Sequence, residues 1–350
     1  MALVVQSQPP ISVQALVQNG LEEVPSRFLQ RSLDSRVSAP FEESLPIIDH
    51  GKLLRNDPSE LAKLGAACAE WGFFQVVNHD IPISLLERVR EAARQFFHLS
   101  HEEKLEFAIK PGSCEGYGRH FLASDVLDWV DLLYHQLLPI STRNLSSWPT
   151  KPESYRTVLH EYSNEVHGLA KCLLGKISET LGLESDFLEK KFGECIYQTI
   201  RVNHYPPCPQ PDRVMGLSPH SDPGGITILL QDDVEGLQVR KNGKWVQVQA
   251  DPEAFVVNLA DQIEIITNGL YKSVEHRAVV KTESKERISL AMFHSPLPDT
   301  LVSPAANFVN PRQPSRYTSM TFGQYRSSFL NKELRGKNHV KSMLVEKEQD

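Results

Sequence analysis

The strongest constraint in this chain is a spacing. His220-Ser-Asp222 is followed 54 positions later by His276, and eleven residues further on by Arg287-Ile-Ser289. The sequence between them is a succession of short apolar runs, at 226–230, 237–240, 245–248 and 255–259, broken by turn residues. Asn242-Gly243 separates the second run from the third, and Asn-Gly is the strongest short hairpin signal. Many short strands at this interval mean a β-sandwich or a jelly roll, with any metal ligands at strand ends on the inner face. Two imidazoles and one carboxylate that converge in such a fold occupy one face of an octahedral metal and leave the other open. That is the ligand set of non-haem Fe(II) oxygen chemistry. Residues two apart on a strand point to the same side, so the Arg287 guanidinium and the Ser289 hydroxyl can together hold one carboxylate of a small acid.

Each piece alone is ordinary. Thirteen histidines make a single His-X-Asp unremarkable, and most arginines are surface residues. Order and spacing make the combination specific. A structural zinc site is a poor alternative, because such sites are closed and thiolate-rich.

Composition sets the outer bounds. A chain of 350 residues with 40% hydrophobic and 23% charged residues is long enough for a large core and reads as globular. A net charge of −7 argues against a nucleic-acid partner, which normally meets a basic face. No apolar run is long enough to span a bilayer, and Met1–Val5 lacks the basic start of a secretory signal. Cys68, Cys114, Cys172, Cys195 and Cys208 are scattered, without a Cys-X-X-Cys pair, which suggests reduced thiols in the cytosol. Asn144-Leu-Ser146 matches a glycosylation sequon and reads there as chance. The expectation is a cytoplasmic monomer acting on a small molecule, with no nucleic-acid or membrane partner.

Along the chain, residues 1–44 read as an extension lying on the body, with a turn or two of helix from Val13 to Gly20, and 45–49 as a short strand. Asp57-Pro58-Ser59-Glu60 is a helix start; Leu61, Leu64, Cys68 and Trp71 share one face, and Gly72 stops the helix. A buried strand over 73–77, a second amphipathic helix over 83–99 and a Ser100 cap with Glu103 follow. The stretch 127–135 reads as a strand inside a loop-rich region, and 152–181 as a long helix whose tyrosines are packing residues. Beyond the runs named above come a short helix over 261–267 and strands over 278–280 and 288–293. A last helix, about 322–334, is placed to close over the barrel mouth, and the tail 346–350 reads as disordered. There are no internal repeats.

With these motifs in hand, residues 45–340 resemble the plant 2-oxoglutarate- and Fe(II)-dependent dioxygenases. The matching stretches are Arg201-Val-Asn-His-Tyr-Pro-Pro-Cys-Pro209, the His220/Asp222 pair, Asn268-Gly-Leu-Tyr-Lys-Ser-Val-Glu-His-Arg277, Arg287-Ile-Ser289 and, further upstream, Trp71-Gly-Phe-Phe-Gln-Val-Val-Asn-His79. The resemblance implies an α+β fold: a double-stranded β-helix (jelly roll) core with a helical N-terminal half packed outside it. The expected divisions are an extension (1–44), a helical N-terminal region (45–195), the catalytic core (196–300) and a lid helix with tail (301–350). It implies Fe(II) on His220, Asp222 and His276, and 2-oxoglutarate chelating it with its far carboxylate on Arg287 and Ser289. Tyr205 and Asn203 match positions that hydrogen-bond the cosubstrate. O2 is the second cosubstrate and ascorbate the expected reductant; succinate and CO2 accompany hydroxylation, demethylation or desaturation of a plant metabolite or hormone.

By family position Phe293 faces the substrate, with Tyr134 and Leu132 on the opposite wall. Arg201 and the 218–225 stretch resemble the jasmonate-oxidising group, whose arginines hold a substrate carboxylate; a salt bridge at the barrel rim is the other reading of Arg201. Arg326 is a second candidate anion partner. A jasmonate-type hydroxylase is thus one specific form of the expectation, and a non-catalytic 2-oxoglutarate and metal sensor its alternative from another class. The chain departs from the family pattern at Asp80 and at Ala260-Asp261, where glycine is more usual; neither position touches the ligand set.

Overall fold

The computed structural model describes residues 11–30, 44–119, 124–281 and 285–345. The expectations for Met1–Val5 and for the tail 346–350 lie outside these residues.

The described part of the extension, residues 11–30, is pinned down. The Ser12 hydroxyl accepts the Ala15 N–H and opens helix α1 (Val13–Gln18), which Gly20 ends in the left-handed region. Asp131 accepts from the Ser12 hydroxyl and from the N–H groups of Val13 and Gln14, at 2.7 to 3.0 Å. Strand β1 (Ile47–Asp49) leads into helices α2 (His50–Leu54) and α3 (Pro58–Glu70). Asp57 caps α3 through the Ser59 and Glu60 N–H groups. Leu64, Ala67 and Cys68 form its buried face; Leu61 sits only half-buried beside it. Gly72 lies at φ +60°, and a Cβ there would come within 2.4 Å of the Lys272 carbonyl.

Strand β2 (Phe73–Val77) follows, then helices α4 (Ile83–Phe97) and α5 (His101–Leu105), the latter opened by a Ser100–Glu103 capping box. Asp80, between β2 and α4, also has a positive φ, of 60°. Asp tolerates that region better than most residues, so the turn survives the loss of a glycine. Strands β3 (Gly116–Gly118) and β4 (Asp131–Leu138) come next. The strand expected over 127–135 thus begins four residues later. Leu127 and Trp129 spend their N–H groups on the carbonyls of Arg27 and Met215, so the ladder with the neighbouring strand starts only at Asp131.

Helices α6 (Tyr155–Thr180) and α7 (Phe187–Lys191) precede the strands of the barrel. These are β5 (Tyr197–Tyr205), β6 (Leu217–His220), β7 (Ile226–Gln231), β8 (Leu237–Lys241), β9 (Lys244–Gln247) and β10 (Phe255–Leu259). Helix α8 (Asp261–Ile266), β11 (His276–Ala278) and β12 (Arg287–Ser295) complete them; α9 (Phe322–Leu330) and α10 (Asn338–Lys341) end the described chain. The expected strand at 278–280 is displaced to begin at His276. The β8–β9 turn uses Asn242 and Gly243 at φ 50° and 77°, the signature of a primed hairpin turn. Ala260 has φ −112°, a conformation that needs no glycine.

Two sheets face each other: β1-β2-β10-β7-β12-β5-β4-β3 and β6-β11-β8-β9. The fold is the expected jelly roll with helices outside it. The N-terminal part does more than cover the barrel, since β1, β2, β3 and β4 extend the larger sheet at both edges. The main apolar core joins α3, α4 and α6 to that sheet, with Tyr155 and Tyr162 buried as packing residues.

Candidate metal centre and its two chambers

Strand pairing brings the three candidate ligands together. His276, the first residue of β11, lies opposite His220, the last of β6, and Asp222 lies just beyond β6. Their ligand atoms lie within 4.8 Å of one another, and all three residues are buried. Nε2 of His220 and of His276 stand 3.5 and 3.6 Å from the Asp222 Oδ1. Each ring uses its other nitrogen on a backbone carbonyl two residues earlier: His220 Nδ1 at 2.9 Å from the Ser218 oxygen, His276 Nδ1 at 3.1 Å from that of Val274. Those bonds place a proton on each Nδ1 and aim an Nε2 lone pair inward. The Asp222 Oδ2 is occupied by the Thr227 hydroxyl (2.6 Å) and the Asn258 amide (2.9 Å), so only Oδ1 faces the rings.

Burial, and then the His220 charge, push the His276 imidazole down to about 4, so it is neutral at neutral pH. Burial alone would raise Asp222, but the two imidazoles and the Thr227 hydroxyl hold it below the usual carboxylate range. The Asp222 carboxylate and the His276 Nε2 thus converge beside the Nε2 of His220, an arrangement that suits a divalent cation. Two imidazole nitrogens and one carboxylate oxygen fit Fe(II).

Behind the triad lies an inner chamber of about 540 Å³, which Asn203, Tyr205, Arg287 and Ser289 line. The β5–β12 register sets Arg287 beside Tyr205 and Ser289 beside Asn203. Arg287 is anchored through Nη2 to the Gln231 side chain (2.8 Å) and through Nε to the Val234 carbonyl (3.1 Å). Its guanidinium lies 5.0 Å from the Tyr205 ring centre, and Nη1 reaches the Ser289 hydroxyl only at 3.5 Å. The Asn203 amide points to the same hydroxyl at 3.4 Å. A held guanidinium and a loosely engaged hydroxyl in a buried pocket suit a ligand carboxylate.

In front lies an outer chamber of about 570 Å³, sharing Arg201, His220, Asp222 and Phe293 with the inner one. Tyr134, Tyr197 and Thr199 form one wall; Phe322, Arg326, Phe329 and Leu330 of α9 form the other. Arg326 donates to the Tyr134 hydroxyl (3.0 Å) and to the Cys114 sulfur (3.3 Å). Leu132 is not in this chamber. It lines a neighbouring cleft with Arg119 and Asp128, and Arg201 forms the wall common to both. The register accompanies this: Tyr134 sits beside Arg201, whereas Leu132 lies two positions along β4, beside Asn203.

Sequence reasoning missed Thr227, Asn258, Tyr197, Thr199 and the aromatic face of α9. Phe322, Arg326, Phe329 and Leu330 recur at helical spacing, a signal that was present. Thr227 and Asn258 carried none.

A fold and site of this kind define a metal-dependent oxygenase. The pattern of the 2OG-Fe(II) oxygenase superfamily matches residues 196–296, and that of the N-terminal region of the non-haem dioxygenases in morphine synthesis matches 45–151. Jasmonate-induced oxygenase 4 of Arabidopsis thaliana is 42% identical over 347 residues, covering 97% of this chain and 98% of its own. An oxoglutarate-dependent flavonoid 7-O-demethylase of Ocimum basilicum is 40% identical, covering 96% and 91%. The crystal structure of JOX2 in complex with 2OG, Fe and JA superposes with a TM-score of 0.90 at 40% identity, over 97% of this chain and 99% of that one. The chain belongs to the 2OG-Fe(II) oxygenase superfamily and is an oxidoreductase of that family, related to plant oxygenases of hormones and specialised metabolites. Among the described residues no helix is long and apolar enough to cross a membrane.

Proposed function

We propose that the enzyme oxidises a small, largely apolar carboxylic acid of the jasmonate type. The observation that carries this is a pair of arginines, Arg201 and Arg326, lining an outer chamber whose other walls include Tyr134, Phe293, Phe322 and Phe329. Arg326 is held at this wall by the Tyr134 hydroxyl and the Cys114 sulfur. The likeness to JOX2, a protein solved with JA, supports the same substrate class.

In this reading His220 and His276 hold Fe(II) through Nε2, and Asp222 holds it through Oδ1. Bound there with 2-oxoglutarate and O2, the metal supplies oxidation of an unactivated C–H bond, with succinate and CO2 as co-products. Arg287 and Ser289 bind the far carboxylate of 2-oxoglutarate, with Tyr205 and Asn203 flanking it. Arg201 and Arg326 hold the substrate carboxylate and so fix which carbon faces the metal. Phe293, Phe322 and Phe329 exclude water. Residues 45–195 serve as the N-terminal unit, 196–300 as the catalytic core and 301–350 as lid and tail, in a cytoplasmic monomer that needs no nucleic acid or membrane.

The test is succinate release with Fe(II), ascorbate and O2, against plant acids including jasmonic acid, their methyl esters, and neutral flavonoid and alkaloid ethers. The expected result is succinate together with a product one oxygen atom heavier from an acid, and little from its ester. Turnover of an ether with loss of a methyl group, acids being ignored, would overturn the reading.

A further inference from the structure

Besides Phe73, which packs edge-on against His276 at 5.2 Å, the N-terminal half reaches the metal centre through a carboxylate. Asp128 lies in the loop before β4 and has no part in the chemistry above. Its Oδ1 accepts the Ser218 N–H at 3.0 Å and the Ser218 hydroxyl at 2.5 Å. The Ser218 carbonyl is in turn the partner of His220 Nδ1. Asp128 thus grips the residue whose carbonyl orients the imidazole.

The grip matters because of where β6 lies. It is an edge strand of the smaller sheet, paired with β11 on one side only. An edge leaves backbone groups without a ladder to fix them. Two contacts take the place of the missing strand: Asp128 on the Ser218 N–H, and the Gly336 N–H on the Pro219 carbonyl at 2.8 Å. Only the first is made by a side chain.

Asp128 is itself rigidly held. Its carbonyl accepts Arg119 Nη1 at 2.9 Å, and Arg119 Nε donates to the Ile11 carbonyl at 2.9 Å. Its neighbours are tied by the Leu127 N–H to Arg27 (2.8 Å) and the Trp129 N–H to Met215 (2.7 Å). The fully buried Trp129 also donates Nε1 to the Pro206 carbonyl at 3.1 Å.

We propose that Asp128 is a positioning residue for the metal: by fixing Ser218 on the open edge of β6, it sets the orientation of the His220 ring. The proposal rests on reading His220 as a metal ligand. A partner on the far nitrogen of a ligating imidazole fixes its tautomer and direction, and losing such a partner costs about 10- to 100-fold in metal affinity.

The test is anaerobic Fe(II) titration of the full chain as wild type, Asp128→Ala, Asp128→Asn, Ser218→Ala and His220→Ala, with metal-free melting curves alongside. Asp128→Ala leaves the Ser218 carbonyl in place but frees it, and should weaken Fe(II) by about tenfold, the low end of the cost of losing a direct partner. Asp128→Asn keeps an acceptor oxygen and should recover most of the loss, and Ser218→Ala, which keeps the N–H bond, should fall between. Wild-type affinity in Asp128→Ala, or no recovery in Asp128→Asn, would overturn the proposal. If Asp128→Ala does not fold, wild-type affinity in Ser218→Ala overturns it instead. Wild-type affinity in His220→Ala would show that the ligand reading itself had failed.

Discussion

The two chambers on either side of the triad are made of different material. The inner one stands on a ladder: Arg287 and Ser289 of β12 face Tyr205 and Asn203 of β5 inside nine consecutive residue pairs. Its polar groups are locked by strand register. The outer one joins β4, β5, two residues of β12 (Phe293 and Ser295) and a helix from the far end of the chain. That helix is held by scattered contacts rather than by a strand ladder, among them the Tyr325 hydroxyl on Asp261 at 2.7 Å. The inner chamber therefore suits a cosubstrate that never changes, whereas the outer one can be rebuilt by altering a helix face. Function of the second kind lives in a site grafted on the fold rather than in the fold itself.

Four experiments would break or sharpen this contrast. The largest effect belongs to Asp222→Asn, which keeps an acceptor for Thr227 and Asn258 but removes the charge. Metal holding is common to both chambers, and loss of several kcal/mol of charge stabilisation lowers turnover on the order of a thousandfold. Succinate release checks it; retained turnover with a folded protein would remove the triad from the account.

Arg287→Ala addresses the inner chamber alone. A hydrogen bond to a charged group contributes about 1.5–3 kcal/mol, so the KM for 2-oxoglutarate should rise about 10- to 100-fold while that for the acid substrate holds. Equal rises in both would mean that the chambers are not separate.

Arg326→Met is the reverse case. Arg201 remains, so the KM for the acid substrate should rise about tenfold, at the low end for a charge-assisted bond. The KM for 2-oxoglutarate should stay put. A steady-state measurement of both constants on one preparation decides it.

The smallest effect is expected with pH. His339 donates to the Tyr325 carbonyl of α9 at 3.0 Å, and its ring lies 4.3 Å from that of Tyr325. Burial pushes its imidazole from 6.5 down to about 4. The folded state then binds fewer protons than the unfolded one, so this contribution is complete above pH 6.5 and is lost as pH falls towards 4. Lowering the pH from neutral should loosen α9 first, raising the KM for the acid substrate a few-fold before that for 2-oxoglutarate, and His339→Gln should flatten the difference. A pH response identical for both constants would leave α9 without a separate role.

The same contrast explains what could be read in advance. His220, Asp222, His276, Arg287 and Ser289 sit in motifs whose spacing survives because the ladder counts residues in pairs. Tyr134 and Phe293 line one chamber, whereas Leu132, two register positions from Tyr134, lines the next cleft. The strand near residue 130 was misplaced because Leu127 and Trp129 look like strand residues but pack on the extension, with Trp129 edge-on to Phe28 at 5.2 Å. Helix α1 showed its stop at Gly20, yet Asp131, the partner of its cap Ser12, is 119 positions away, and no local pattern carries a contact of that span. Strand β3 is three residues of Gly-Tyr-Gly, a sequence that turn chemistry explains equally well until β4 lies beside it.

The most direct test of two chambers sharing one metal is the ratio of oxidised product to succinate, followed in the wild type and in Arg326→Met. Equimolar product and succinate are expected from the wild type with its acid substrate. Arg326→Met should still make succinate but fall short in product, because cosubstrate binding is intact while substrate positioning is not. Product and succinate falling together in Arg326→Met, at saturating substrate, would contradict the separation of the two chambers.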